Sequence, residues 1–312
     1  MKKHNILKME LLSLIMALCL LLGGCGAPVE TLEESETPLS QSETSAKTVE
    51  FVDAVYSQDK AQGKSDAYID TSSSSDGYVG VSVKNEKRIK FQVIKGDVKY
   101  NYDVPNDGTP TIFPLQFGDG SYKLRVMKNT KDNKYSELYS TTIDVKLSSE
   151  FSPFIRPSSY VNYGKDSNCT KKAVEIAAQS KDSLGIISGV YSYVTKNIKY
   201  DTEKAKTVKS GYLPDPDETL STGKGICFDY ASLAASMLRS QGIPTKLIFG
   251  YVAPNGLYHA WNMFYTEQTG WVTVKFEAKG DDWTRMDLTF SAGGAGADFI
   301  GNGTNYTDVY YY

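Results

Sequence analysis

The sequence predicts two folded parts in series: an all-β, sandwich-like domain, then an α+β domain whose helices lead into an antiparallel sheet. Three observations predict it. Between Tyr68 and Leu147, short runs alternate apolar and polar residues, the period of half-buried strands. After Ser148, Leu184, Ile187, Tyr191, Val194 and Ile198 fall at helical spacing. From Thr245 onward strand-like alternation returns. A chain of 312 residues is long enough for both parts to bury a core. The expected organisation is a signal peptide over 1–24, an acidic Ser/Thr-rich tether over 25–66, an Ig-like β-sandwich over 67–148 and a mixed domain over 149–312.

The amino terminus reads as an export signal. Lys2, Lys3 and Lys8 precede an apolar run from Leu11 to Leu22, which ends in Gly23, Gly24 and Cys25. That run is shorter than the about 20 residues needed to cross a hydrocarbon core of roughly 30 Å, so removal is expected rather than retention. Leu22-Gly23-Gly24-Cys25 resembles a bacterial lipobox, in which Cys25 becomes the acylated first residue and holds the protein at the outer face of the cell membrane. The Glu-, Ser- and Thr-rich stretch that follows has few large apolar side chains and reads as a solvated tether. Net charge is −3 with basic residues scattered, which excludes the electrostatic footprint of a nucleic-acid binder.

In the first folded part, strands are expected over 78–83, 89–94, 98–104, 122–127 and 139–145. They are separated by turns such as Pro105-Asn106-Asp107-Gly108 and Gly118-Asp119-Gly120-Ser121. The turn entering Tyr122 looks something like a tyrosine corner. No chemistry is evident here, and a positioning or adhesive role is expected. Residues 151–163, with Pro153 and Pro157, read as a linker, 170–179 as a short helix, and 201–222, with Pro214 and Pro216, as a surface loop.

The chemistry concentrates around Gly225-Ile226-Cys227-Phe228-Asp229-Tyr230. Gly225 permits a tight approach, and Gly242 with Pro244 closes a helix expected from Cys227 to Ser240. Cys227 then sits in the first turn, where unpaired N–H groups and the helix dipole favour a thiolate and could hold an oxyanion. Once the signal peptide is removed, His259 is the remaining histidine, on a strand expected over 257–265. A thiol nucleophile needs a base, and the base needs a third group to orient it. Asp287, inside a strand expected over 283–290, suits that place. Glu277 and Asp229 stay open, while Asp281 and Asp282 are explained as turn formers and Asp229 also as a first-turn acid. With Cys19 removed and Cys25 capped, Cys169 and Cys227 remain. A disulfide between them would block the thiol, and the expectation is that both are free or Cys169 is buried.

The motifs Gly225-Ile226-Cys227-Phe228-Asp229-Tyr230-Ala231, Gly242-Ile243-Pro244 with Gly250-Tyr251, His259-Ala260-Trp261-Asn262 and Trp283 through Asp287-Leu288-Thr289 resemble the transglutaminase-like superfamily of cysteine enzymes. The resemblance covers about Leu184 to Phe290. It implies a papain-like α+β core, with Cys227 as nucleophile on a central helix and His259 as base and Asp287 as orienting acid on an antiparallel sheet. Many members carry the acid where this chain has Lys275, so Asp287 requires an inserted hairpin, and the Pro that usually follows the acid is Leu288. The implied activity is acyl transfer or hydrolysis on amide groups of proteins or peptides, including cell-wall peptides, through a thioester on Cys227. The alternative is a non-catalytic surface scaffold or binding module that retains the fold. No cofactor is implied, and no calcium or zinc ligand spacing is evident.

Overall fold

The computed structural model describes residues 49–252, 257–279, 282–289 and 306–312. The signal peptide, Cys25, the tether up to residue 48, and Asp281 lie outside the described residues.

Six short or medium strands open the fold: β1 (Gln62–Lys64), β2 (Ala67–Asp70), β3 (Tyr78–Val83), β4 (Ile89–Lys95), β5 (Val98–Val104) and β6 (Thr111–Pro114). Two long strands follow, β7 (Gly120–Lys131) and β8 (Lys134–Val145). They form two four-stranded antiparallel sheets, in the orders β1-β2-β3-β6 and β5-β4-β7-β8. Alternation does the sorting: Ile89, Phe91 and Val93 of β4 and Tyr122, Leu124 and Val126 of β7 are fully buried, while the residues between them are not. The Tyr122 hydroxyl donates to the Gly118 carbonyl at 2.7 Å, the back-bond expected of a tyrosine corner.

Residues 51–61, within the stretch expected as tether, are instead packed. Phe51 meets Tyr163 edge to face at 5.7 Å, and the Ser57 N–H donates to buried Asp70 at 2.7 Å. Phe51, Val52 and Tyr56, each half-buried, supply apolar area that the residues before them lack.

The second part carries α1 (Asn168–Ala177), α2 (Ser183–Asn197), β9 (Lys199–Tyr200), α3 (Thr202–Thr207), α4 (Pro216–Thr222), β10 (Lys224–Gly225) and α5 (Cys227–Ser240). Then come β11 (Thr245–Val252), β12 (Leu257–Thr266), β13 (Gly270–Lys279), β14 (Asp282–Thr289) and β15 (Tyr306–Tyr311). The antiparallel sheet has the order β14-β13-β12-β11-β15, and β9 pairs in parallel with β10. The loop expected over 201–222 contains α3 and α4. Pro216 occupies the first turn of α4, where its missing N–H costs nothing, and Asp215 caps that helix by accepting from the N–H groups of Asp217 and Glu218.

The described residues form one compact unit, and β15 joins its two parts. The Tyr311 N–H donates to the Tyr100 hydroxyl at 3.0 Å, and Gln116 donates to the Tyr311 carbonyl at 3.2 Å. Arg239, 1% exposed on α5, ties the centre together. It donates to the carbonyls of Thr245 (2.8 Å), Arg156 (2.9 Å) and Tyr312 (2.9 Å), and burial pulls its guanidinium down to about 10, so it stays protonated at neutral pH. Arg239→Met leaves those carbonyls short of a donor and is expected to lower unfolding free energy by about 2–4 kcal/mol, read from urea midpoints at constant slope. A change under about 0.5 kcal/mol contradicts the clamp.

Candidate active site

Cys227 is the first residue of α5, as the glycine and proline punctuation predicts, and it is half-buried. The residue before it, Ile226, is extended and has no side-chain oxygen to cap the helix. The capping is done from the other direction: Asp229, fully buried in the third helical position, accepts from the Ile226 N–H at 2.8 Å. Gly225 makes this possible, since a Cβ there would sit 2.6 Å from the Asp229 Cβ. The first-turn N–H groups of Cys227 and Phe228 are left to face the Cys227 sulfur, and the backbone N–H of Ala260 on β12 reaches the same sulfur.

That last contact brings the helix start against the histidine strand. His259 immediately precedes Ala260; it is 5% exposed, lies in register with Gly250 of β11, and stacks on Trp261 with ring centroids 6.5 Å apart. Asn262 fixes the distance between helix and strand. Its amide donates to the Ala231 carbonyl of α5 at 3.0 Å and accepts from the Tyr191 hydroxyl of α2 at 3.2 Å, with all three residues fully buried. The paired stretch of β12 with β13 runs from Asn262↔Val274 to Thr266↔Gly270, so His259 and Ala260 lie beyond it.

Asp287 is in β14, in register with Lys275 of β13, and the hairpin that its assignment requires is present. It is therefore two strands from His259 in the sheet order, with β13 between them. Its side chain, like that of Glu277, lies outside the described residues.

Around Cys227 and Asp229, the latter left open as a candidate by the sequence, the structure collects Lys204, Tyr212, Tyr200 and Tyr258, which sequence reasoning did not single out. Asp229 accepts from the Tyr212 hydroxyl at 2.6 Å and pairs with Lys204 at 2.8 Å, and Lys204 also donates to the Tyr212 hydroxyl at 2.7 Å. Only Asp229 carried a signal, its position three residues after the helix cap. Tyr200 and Tyr258 lie close enough to Cys227 for its charge to raise both phenols, behind the larger effect of their own burial. A train of rings, Tyr102–Tyr160–Phe228–Phe249, runs from the sandwich to the residue after the thiol, with centroid spacings of 5.5, 5.4 and 4.8 Å.

Cys169 and Cys227 are both free thiols, and Cys169 is buried beside Asp217, which accepts from its N–H at 2.8 Å. The expectation of a lowered Cys227 pKa fails. Burial pushes the thiol above its ordinary value, N–H donation from Ala260 and Phe228 offsets part of that, and the Asp229 carboxylate adds to the rise. The thiol is thus held protonated at neutral pH. Among the described residues no His/Cys/Asp/Glu cluster has the geometry of a metal site. Peptide-resolved mass spectrometry of iodoacetamide labelling is expected to give a Cys227 pH midpoint above the ordinary thiol value of about 8.5. A midpoint below 7.5, the depressed range of activated thiols, contradicts this account.

Residues 170–276 match the family model described as "Transglutaminase-like superfamily". The chain is 30% identical over 111 residues to UPF0252 protein MJ1282 of Methanocaldococcus jannaschii, covering 34% of this chain and 30% of that protein's length. Among solved structures, a Cytophaga hutchinsonii protein provisionally assigned as a cysteine protease is 15% identical at TM-score 0.39, over 74% of this chain and 73% of its own. Legionella pneumophila LapG is 18% identical at TM-score 0.32, over 48% of this chain and 77% of its own. Red sea bream transglutaminase is 13% identical at TM-score 0.29, over 64% and 48%. These structural likenesses are faint, and the assignment stands on the sequence match together with the α+β core. Over residues 170–276 the chain carries a transglutaminase-like domain.

Proposed function

We propose that this protein is a cysteine-dependent acyltransferase or hydrolase acting on amide groups of proteins or peptides. The observation that carries the reading is the contact of the Cys227 sulfur with the Ala260 N–H, which sets a thiol at a helix start against the residue next to His259. Cys227 is the nucleophile and His259 the base; the orienting acid is Asp287 on β14 or, on the strand between, Glu277 of β13.

Because the thiol is held protonated, its proton has to leave during attack rather than before it. Sγ adds to the amide carbonyl carbon while His259 takes the thiol proton, and the carbonyl electrons move onto oxygen. First-turn N–H groups of α5 are suited to hold that oxyanion. On collapse the carbon–nitrogen bond breaks, His259 returns the proton to the departing nitrogen, and a thioester remains on Cys227. Water or an amine then adds to the thioester with His259 as base, and sulfur leaves to regain its proton. Water gives hydrolysis or deamidation, and an amine gives a crosslink. Cell-wall peptides are the substrates best suited to a lipid-anchored protein on the outer face of the membrane, the location we propose from Lys2 through Cys25.

Two experiments test this. The purified protein, incubated with amide-bearing peptides with and without a primary amine, is expected to release ammonia, incorporate the amine or cleave the chain. Cys227→Ala should lower whichever signal appears by about 10³-fold or more, and His259→Ala comparably, since nucleophile and base act as a unit. A wild-type protein silent across a broad peptide panel favours the scaffold reading instead. For location, Cys25→Ser is expected to move the mature protein from the membrane to the soluble fraction; unchanged membrane association removes the lipid anchor.

A further inference from the structure

The buried Asp229 carboxylate has a longer reach than its own helix. Its partner Tyr212 lies on the segment between α3 and α4, and that segment rests on the β-sandwich. Arg88 and Asp103, on the sandwich, form a two-pronged pair at 2.7 and 3.0 Å, with Lys90 also on Asp103 at 2.6 Å. Gly211 sits directly on the pair with φ +90°. A Cβ there would lie 3.0 Å from the Asp103 carboxylate and 3.1 Å from Arg88 Nη2. Arg88 also reaches Ser210 Oγ at 3.4 Å. The next residue, Tyr212, donates to Asp229 at 2.6 Å, and Asp229 closes the turn on which Cys227 is mounted.

We infer that the β-sandwich is part of the active centre: its Arg88–Asp103 pair seats Gly211, Gly211 aims Tyr212 at Asp229, and Tyr212 acts through Asp229 as a positioning residue for Cys227. The inference rests on Cys227 as the reactive thiol and requires no knowledge of the substrate. A carboxylate with no exposure has to be matched by donors, and Tyr212 with Lys204 supplies them. Those two donors also set how much of the Asp229 charge the thiol feels. Among the described residues, the titratable groups around the thiol are Asp229 on α5, Tyr200 on β9, and Tyr258 and His259 on β12. Those on Asp229 are Lys204 of α3 and Tyr212.

Labelling of Cys227 across pH, on the full chain, reads this without any turnover. Tyr212→Phe keeps the ring against Phe228, at 6.1 Å, and removes the hydroxyl that donates to Asp229 and accepts from Lys204. With less of the Asp229 charge answered, the Cys227 midpoint is expected to rise by roughly 0.5–1 pH unit, and Lys204→Met should raise it by as much or more. Asp229→Asn should move it the opposite way. Gly211→Ala, whose added Cβ meets Asp103 and Arg88, should reproduce the Tyr212→Phe shift and add nothing in the double variant, because both act on one path. Folding is checked by circular dichroism on the same samples. A general loosening of the fold gives no such opposed signs. An unchanged midpoint in folded Tyr212→Phe and Lys204→Met overturns the inference, and an unchanged midpoint in Gly211→Ala overturns the part assigned to the sandwich. Wild-type labelling with these shifts but no turnover on any peptide condemns the proposed reaction and leaves the positioning path standing.

Discussion

Everything about this centre follows from the burial of α5. From Asp229 to Ser240 every residue of the helix is out of solvent, so its two ends must satisfy their backbone groups without water. At the far end the chain turns through Gly242 in the left-handed region, with the Gly242 N–H on Arg239 and the Ile243 N–H on Leu238. At the near end a carboxylate, a sulfur and a neighbouring strand share the work. A nucleophile at this position is therefore held by the same contacts that terminate a buried helix, and its orientation is as fixed as the core.

That arrangement has an electrostatic cost for the thiol. N–H groups attract a thiolate, but burial, with a smaller contribution from Asp229, opposes it more strongly, and the thiol stays protonated. The site favours a resting form that resists oxidation and stray alkylation, since thiolate character governs both. In the proposed reaction, the thiol loses its proton only as it attacks a bound amide.

The sequence made the parts with strong local signals readable. Gly225 and Gly242 with Pro244 bracketed α5 at the bounds observed, and the alternation of Ile89–Val104 and Thr245–Thr266 set out strands whose inner faces are those that are buried. The rest depended on partners distant in the chain. Tyr212 and Lys204 sit in a polar, proline-bearing stretch that carries no apolar period, and only the fold brings them to Asp229. The start of α4 was legible in principle from Asp215-Pro216-Asp217-Glu218, a capped helix start, but Pro214 and Pro216 together outweighed it. The hairpin that brings in Asp287 was readable from Trp271 to Phe290, whereas its distance in strand order from His259 was not. Strand order is a property of the sheet, and no local pattern encodes it.

The β15 strand offers one further lesson. It is an edge strand of the five-stranded sheet, yet its Tyr310 ring and the adjoining Tyr312 pack on Tyr100 of the sandwich at centroid distances of 5.0 and 5.2 Å, and its backbone bonds to Tyr100 and Gln116. The edge of one part has thereby become the interior of the other. For anyone recombining such proteins, the natural unit of exchange is the sandwich and the α+β core together: grafting a foreign sandwich onto this core would replace part of the wall against which β15 is built.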